Sequence, residues 1–127
     1  MTIKEGDKIP DATLMSMTDS GPKPMSTKDL FDGKKVALFS VPGAFTPTCS
    51  AQHLPGFVDN ADAIKAKGID TIACMAVNDA FVMSAWGNDR GVGDKILMLG
   101  DGNAELTKAM GLELDASGFG LGTRGQR

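Results

Sequence analysis

Apolar residues fall in short runs and in one helical stripe. Val36 to Val41 (VALFSV) is bounded by Lys34-Lys35 and by Pro42-Gly43, and Ile69 to Val77 (IDTIACMAV) stops at Asn78-Asp79. Runs of this length between turn-forming residues read as strands buried on both faces. Lys95 to Leu99 (KILML) reads as a third. Between the first two, Ala51, Leu54, Phe57, Val58, Ala61 and Ile64 recur at helical spacing. They predict a helix from about Ser50 to Lys67, with Gly68 as its C-terminal cap. Pro55 lies inside it, so one backbone bond near Ala51 is lost and a kink is expected.

Turn residues organise the rest. Ala12 to Met17 and Lys23 to Met25 flank Asp19-Ser20-Gly21-Pro22 and predict a small hairpin. Ser26-Thr27-Lys28-Asp29 resembles a capping box, with Ser26 as N-cap of a helical turn ending at Asp32-Gly33. Asp79 is placed to cap a helix from Ala80 to about Asn88, and Asp101-Gly102-Asn103 leads into a short helix ending at Gly111. Strands alternating with helices imply a mainly parallel sheet with right-handed crossovers, an α/β three-layer domain. With 127 residues, the chain suits one domain, 1–127.

Composition narrows the function classes. Hydrophobic residues make up 42% and charged ones 23%, as in an ordinary folded domain. A net charge of −3, with no basic run longer than Lys34-Lys35, gives no electrostatic case for nucleic acid. No apolar run approaches a membrane-spanning length, and Met1-Thr-Ile-Lys-Glu-Gly-Asp is too charged for a signal peptide. The expectation is a cytoplasmic protein in which Cys49 and Cys74 are free thiols. Two cysteines and His53 fall short of a zinc site, so no metal is expected. No GxGxxG fingerprint surrounds Gly102, and no cofactor is invoked. Gly118, Gly120, Gly122 and Gly125 crowd the last residues, which reads as a glycine-rich loop with little to pack.

Sites in parallel α/β sheets gather beyond the carboxyl ends of the strands. There the chain carries Pro42-Gly-Ala-Phe-Thr46-Pro-Thr-Cys49, which sets Cys49 at the start of the long helix. Unpaired N–H groups and the macrodipole favour negative charge at that position, and the thiolate is both the nucleophile and the oxidisable form. Thr46 supplies a hydroxyl that both accepts and donates. A capping threonine beside an inert cysteine is the competing reading from residue types alone.

These residues resemble a family. Pro42-x-x-x-Thr46-x-x-Cys49 matches the PxxxTxxC signature of peroxiredoxins. The stretch from Val41 to Phe57, with Lys65-Ala-Lys-Gly, Val77-Asn-Asp-Ala-Phe-Val and Trp86-Gly, resembles the peroxiredoxin 5 (atypical, type II) branch from Gly6 to Arg127. The resemblance implies a thioredoxin-like fold and a thiol-dependent peroxidase acting on hydrogen peroxide and alkyl hydroperoxides. On that pattern Cys49 is the peroxidatic thiolate and becomes a sulfenic acid. Thr46 holds the peroxide, the N–H groups of Thr48 and Cys49 polarise it, and Pro42 shields the thiolate. The family's arginine falls on Arg127, with Arg124 the near alternative. Chains of this family continue through two more strands and a helix. The expectation is therefore a C-terminally truncated form, with Val36 to Val41 an exposed edge and Arg127 poorly fixed. A catalytically weak fragment serving as a binding or assembly module is the alternative function.

Cys74, mid-strand, reads as a buried structural thiol, because a resolving role needs a close approach of its Cα to that of Cys49. In the family this chain resembles, the intramolecular resolving cysteine, when present, lies further along the chain, so the resemblance implies one-cysteine chemistry here, with glutathione, glutaredoxin or thioredoxin as reductant. His53, four residues after Cys49, reads as a hydrogen-bonding or packing histidine before a hydrolase partner. Trp86, Met75, Met83 and Met98 read as core or interface. By analogy, a homodimer forms through the active-site face, with Phe45 and Phe81 as contacts.

Overall fold

The computed structural model describes residues 2–127. Its five-stranded sheet has the order β2-β1-β5-β4-β3: β1 Thr13–Thr18, β2 Gly21–Ser26, β3 Val36–Ser40, β4 Thr71–Ala76 and β5 Leu97–Gly100. The three apolar runs supply β3, β4 and β5, which pair in parallel, as their helical crossovers require. The β1–β2 hairpin adds two antiparallel strands on the β5 side, so the sheet is mixed.

Alternation along β4 builds a core on each face. Ile72, Cys74 and Ala76 join Phe39, Val41, Cys49, Leu54, Met83 and Trp86 on one side. Ala73 and Met75 join Leu14, Leu30, Leu99 and Leu106 on the other. Helix α1 (Thr27–Phe31) covers the second face, while α2 (Leu54–Asp59), α3 (Ala61–Ala66) and α4 (Ala80–Asp89) cover the first. Helix α5 (Glu105–Ala109) lies with α1 through Leu106. Three layers result, as the pattern predicts.

The local caps also follow the sequence. Ser26 Oγ accepts from the N–H of Asp29 at 3.1 Å, and α1 ends before Gly33, whose φ of 68° suits glycine. Asp79 Oδ1 accepts from the N–H of Val82 at 2.8 Å and starts α4.

Two expectations are corrected. The helix predicted from Ser50 to Lys67 is three segments: a π-helical turn, Cys49–His53, then α2 and α3. In the wide turn Leu54 N–H reaches back to Cys49 O. Pro55, which follows, has no N–H and would press its ring on the Ala51 carbonyl, so widening the turn relieves both problems. At Asn60 the side-chain amide donates to Gly56 O at 2.7 Å, competing with the helical ladder, and φ and ψ depart to −105° and 8°.

The glycine-rich end is likewise no loose loop. Strands β6 (Glu113–Asp115) and β7 (Thr123–Gly125) pair antiparallel, joined through a 3₁₀ turn at Ser117–Phe119. Gly125 is buried because its backbone runs against the end of β3: a Cβ there would lie 2.9 Å from Ser40 Oγ. Strand β3 stands at one end of the strand order, and its residues are half-buried or buried.

Candidate active site

The carboxyl ends of β3, β4 and β5 converge on one edge. Val41 N–H donates to Met75 O at 3.0 Å and continues the β3 line, after which the chain turns at half-buried Pro42. The loop is pinned from β4, since Ala44 N–H donates to Asn78 Oδ1 at 3.0 Å. Its turn places Phe45 in the left-handed region (φ 62°), a conformation costly for a bulky side chain. That ring stands half in solvent, 51% exposed.

Thr46 begins the helical turn: its carbonyl accepts from Ser50 N–H at 2.9 Å, while its hydroxyl donates to Gly43 O at 2.6 Å. With the proton of Thr46 committed to Gly43, both remaining sites on Oγ1 are acceptors. Thr48 and Cys49 occupy the first turn, where N–H groups have no partner within the helix. Cys49 is fully buried, in the same core cluster as Cys74, and both thiols are free. Burial pushes the Cys74 thiol far above its usual range, and the nearby Cys49 pushes it further. Cys74 is therefore a protonated core thiol. Next to Cys49, Ser50 Oγ accepts from Trp86 Nε1 at 2.9 Å, which fastens the wide turn to α4.

The two arginines end in different places. Arg124, half-buried, donates through Nε to Leu121 O at 3.0 Å and through Nη1 to Val77 O at 3.2 Å. It passes directly over Gly43, where an added Cβ would lie 3.2 Å from Arg124 Nη1 and 3.1 Å from Thr46 Cγ2. Arg127, exposed, extends along the β3 edge, and its Nη1 lies 3.0 Å from His53 Nδ1, one turn beyond Cys49. The His53 ring tilts against Phe39 (5.0 Å between centroids) and Phe57 (5.6 Å), which stack on each other at 3.9 Å.

Pro42, Thr46, Thr48 and Cys49 thus share one loop–helix junction. Arg124 joins it through Gly43, and Arg127 through His53. Sequence reasoning overlooked Asn78 and Gly43. Asn78 read as a turn residue and as part of the Val77-Asn-Asp-Ala-Phe-Val stretch, and nothing marks its amide as the anchor of a loop far away in sequence. Among the described residues, no group of histidine, cysteine and acidic side chains is arranged to hold a metal.

The redoxin family matches residues 4–125. Peroxiredoxin-2E-2, chloroplastic, of Oryza sativa subsp. japonica is 53% identical over 99% of this chain, which spans 58% of that relative's length. Peroxiredoxin-2B of Arabidopsis thaliana is 46% identical over 98% of the chain and 78% of its own. Among solved structures, reduced Prx3 from Vibrio vulnificus, in complex with hydrogen peroxide, superposes with a TM-score of 0.95. Its identity is 55%, over 99% of this chain and 78% of that one.

Proposed function

The chain belongs to the redoxin family and, within it, to the peroxiredoxins, and from that premise we propose that it is a thiol-dependent peroxidase with Cys49 as its nucleophile. One observation carries the reading: Cys49 sits in the first helical turn beyond β3, and three residues before it the Thr46 hydroxyl is fixed by Gly43 O.

The Cys49 thiolate attacks one oxygen of a hydroperoxide ROOH. An S–O bond forms as the O–O bond breaks, and the departing alkoxide takes a proton and leaves as ROH. Cysteine is oxidised to the sulfenic acid and the peroxide is reduced. Thr46 Oγ1, its own proton held by Gly43, accepts from the peroxide O–H and orients the bond. The N–H groups of Thr48 and Cys49 donate to the oxygens as charge builds on them, and Pro42 covers the thiolate against bulk water. Arg127 supplies the positive charge that favours thiolate and departing oxygen, while Arg124 braces the loop. Because Cys49 is fully buried, the substrate is small: hydrogen peroxide, which the Vibrio relative holds, or a slender alkyl hydroperoxide.

Regeneration uses an external thiol. Cys74 is buried and protonated, so the sulfenic acid is attacked by a thiol such as glutathione, releasing water and leaving a mixed disulfide. A second thiol, from glutathione or a glutaredoxin, frees Cys49; thioredoxin is the alternative donor. Two free thiols suit a reducing compartment such as the cytoplasm. Phe45 and Phe81, 51% and 64% exposed on the active-site side, are the contacts of a homodimer in this reading.

Coupled assays with each reductant test the activity. Turnover that needs Cys49, survives Cys74→Ala and runs on glutathione with glutaredoxin is the expected result. Turnover abolished by Cys74→Ala would replace the one-cysteine cycle with an intramolecular one, and none with any reductant would reject the peroxidase.

A further inference from the structure

An arginine side chain offers donors only, and it stays protonated at any pH a protein tolerates. Its contact with His53 Nδ1 at 3.0 Å therefore fixes the histidine: Nδ1 carries the lone pair, the ring is neutral, and the ring proton resides on Nε2. The imidazole is itself held, tilted against Phe39 from β3 and Phe57 from α2. Arg127 has no other hydrogen-bonding partner among the described residues, so this ring is what orients its guanidinium.

We propose that His53 is a positioning residue, whose neutral Nδ1 holds the Arg127 guanidinium beside the Cys49 turn and lets go of it on protonation. The inference rests on the peroxidase reading and on Arg127 acting in it. His53 faces a groove of about 660 Å³ along the β3 edge, whose other polar lining groups are Ser40 and Gln126, neither of which ionises. On the far side Gln52 and Asn60 are neutral too. Arg127 is the one charged neighbour in either lining; Cys49 on the same helical turn and Cys74, paired with Phe39, are the nearby thiols. Burial lowers the His53 pKa below its usual 6.5, and the Arg127 charge lowers it further, so the accepting form prevails at neutral pH. An imidazolium has no lone pair to offer and repels the guanidinium. Acid therefore switches off the contact, and with it the positioning of charge near the thiolate.

The test is single-turnover oxidation of Cys49 by hydrogen peroxide, followed from about pH 5 to 8, where a histidine titrates. His53→Phe keeps the aromatic packing and removes the acceptor. It should slow the reaction at pH 7.5 by about tenfold, the equivalent of one hydrogen bond to a charged group. His53→Asn restores an acceptor that cannot titrate, so it should recover most of the rate and lose the histidine-dependent fall in acid. Arg127→Ala should be at least as slow as His53→Phe, and the double variant no slower than Arg127→Ala alone. A wild-type rate in His53→Phe, beside a slow Arg127→Ala, overturns the positioning role and leaves the peroxidase intact. Equal rates in all variants remove Arg127 as well. A wild-type Cys49 no faster than a free thiol defeats the peroxidase reading and this inference with it.

Discussion

Gly100 closes β5 where the site loops converge, and a single methyl group there tests how tightly they are coupled. A Cβ on Gly100 would lie 2.8 Å from Asn78 O and 2.9 Å from both Ala80 N and the Asp79 carbonyl carbon. All three are backbone atoms, so no side-chain rotation can relieve the overlap, and the Asn78–Ala80 turn must move. Overpacking of this kind costs about 3 kcal/mol, the upper part of the usual range. With a slope of about 1.5 kcal/mol per molar urea, typical of a small domain, the unfolding midpoint falls by about 2 M. The displaced Asn78 also carries the anchor of Ala44 N–H, so the loop bearing Thr46 loosens and peroxide oxidation of Cys49 slows. Gly102→Ala is the matched control, because its Cβ meets nothing closer than 3.6 Å. Urea unfolding followed by far-UV circular dichroism measures the first effect, and stopped-flow oxidation the second. Equal midpoints for Gly100→Ala and Gly102→Ala would refute the steric argument. A lowered midpoint with an unchanged oxidation rate would refute the link from Gly100 through Asn78 to the loop.

Trp86→Phe removes the donor to Ser50, leaves that buried hydroxyl unpaired and opens a cavity where the fully buried indole stood; denaturant unfolding should show a loss of about 3 kcal/mol, of which only the hydrogen-bond part, about 1 kcal/mol, is recovered when Ser50→Ala is added. Asp101→Ala strips the acceptor from Leu106 N–H, Thr107 N–H and the Thr107 hydroxyl, all buried. Stability should fall by about 3 kcal/mol or more, measured the same way. Cys74 is pushed up by burial and by Cys49, so the unfolded chain loses that proton first as pH rises past the ordinary thiol value of about 8.5. Folding stability from this group is thus full below that pH and declines above it, by about 1.4 kcal/mol per pH unit; Cys74→Ala should flatten that part of the pH profile.

What was legible in the sequence follows from how local each cause is. The hairpin, the Ser26 and Asp79 caps and the three parallel strands depend on turn residues and short apolar runs, and they are where the pattern puts them. The Cys49 loop was legible for a different reason, since Pro42, Thr46 and Cys49 lie within one turn of chain. The wide turn at Cys49–His53 was only half visible: Pro55 signals a lost bond, but whether the helix kinks or widens depends on packing against α4 through Ser50 and Trp86. The β6–β7 hairpin gave no signal, because Glu113–Asp115 is exposed and its partner is mostly glycine and polar residues. The same distance effect hid the roles of the arginines. Arg124 reaches Val77, and Arg127 reaches His53, across separations that no spacing rule covers.

In the proposed peroxidase Cys49, and not Cys74, is the thiol that peroxide oxidises. Intact mass spectrometry after one equivalent of hydrogen peroxide, with a sulfenic-acid trap and peptide mapping, tests it directly. Rapid trapping on Cys49 with Cys74 untouched is the predicted result. No trapping, or equal slow labelling of both thiols, would contradict the claim and mean that the motif is present without an assembled site.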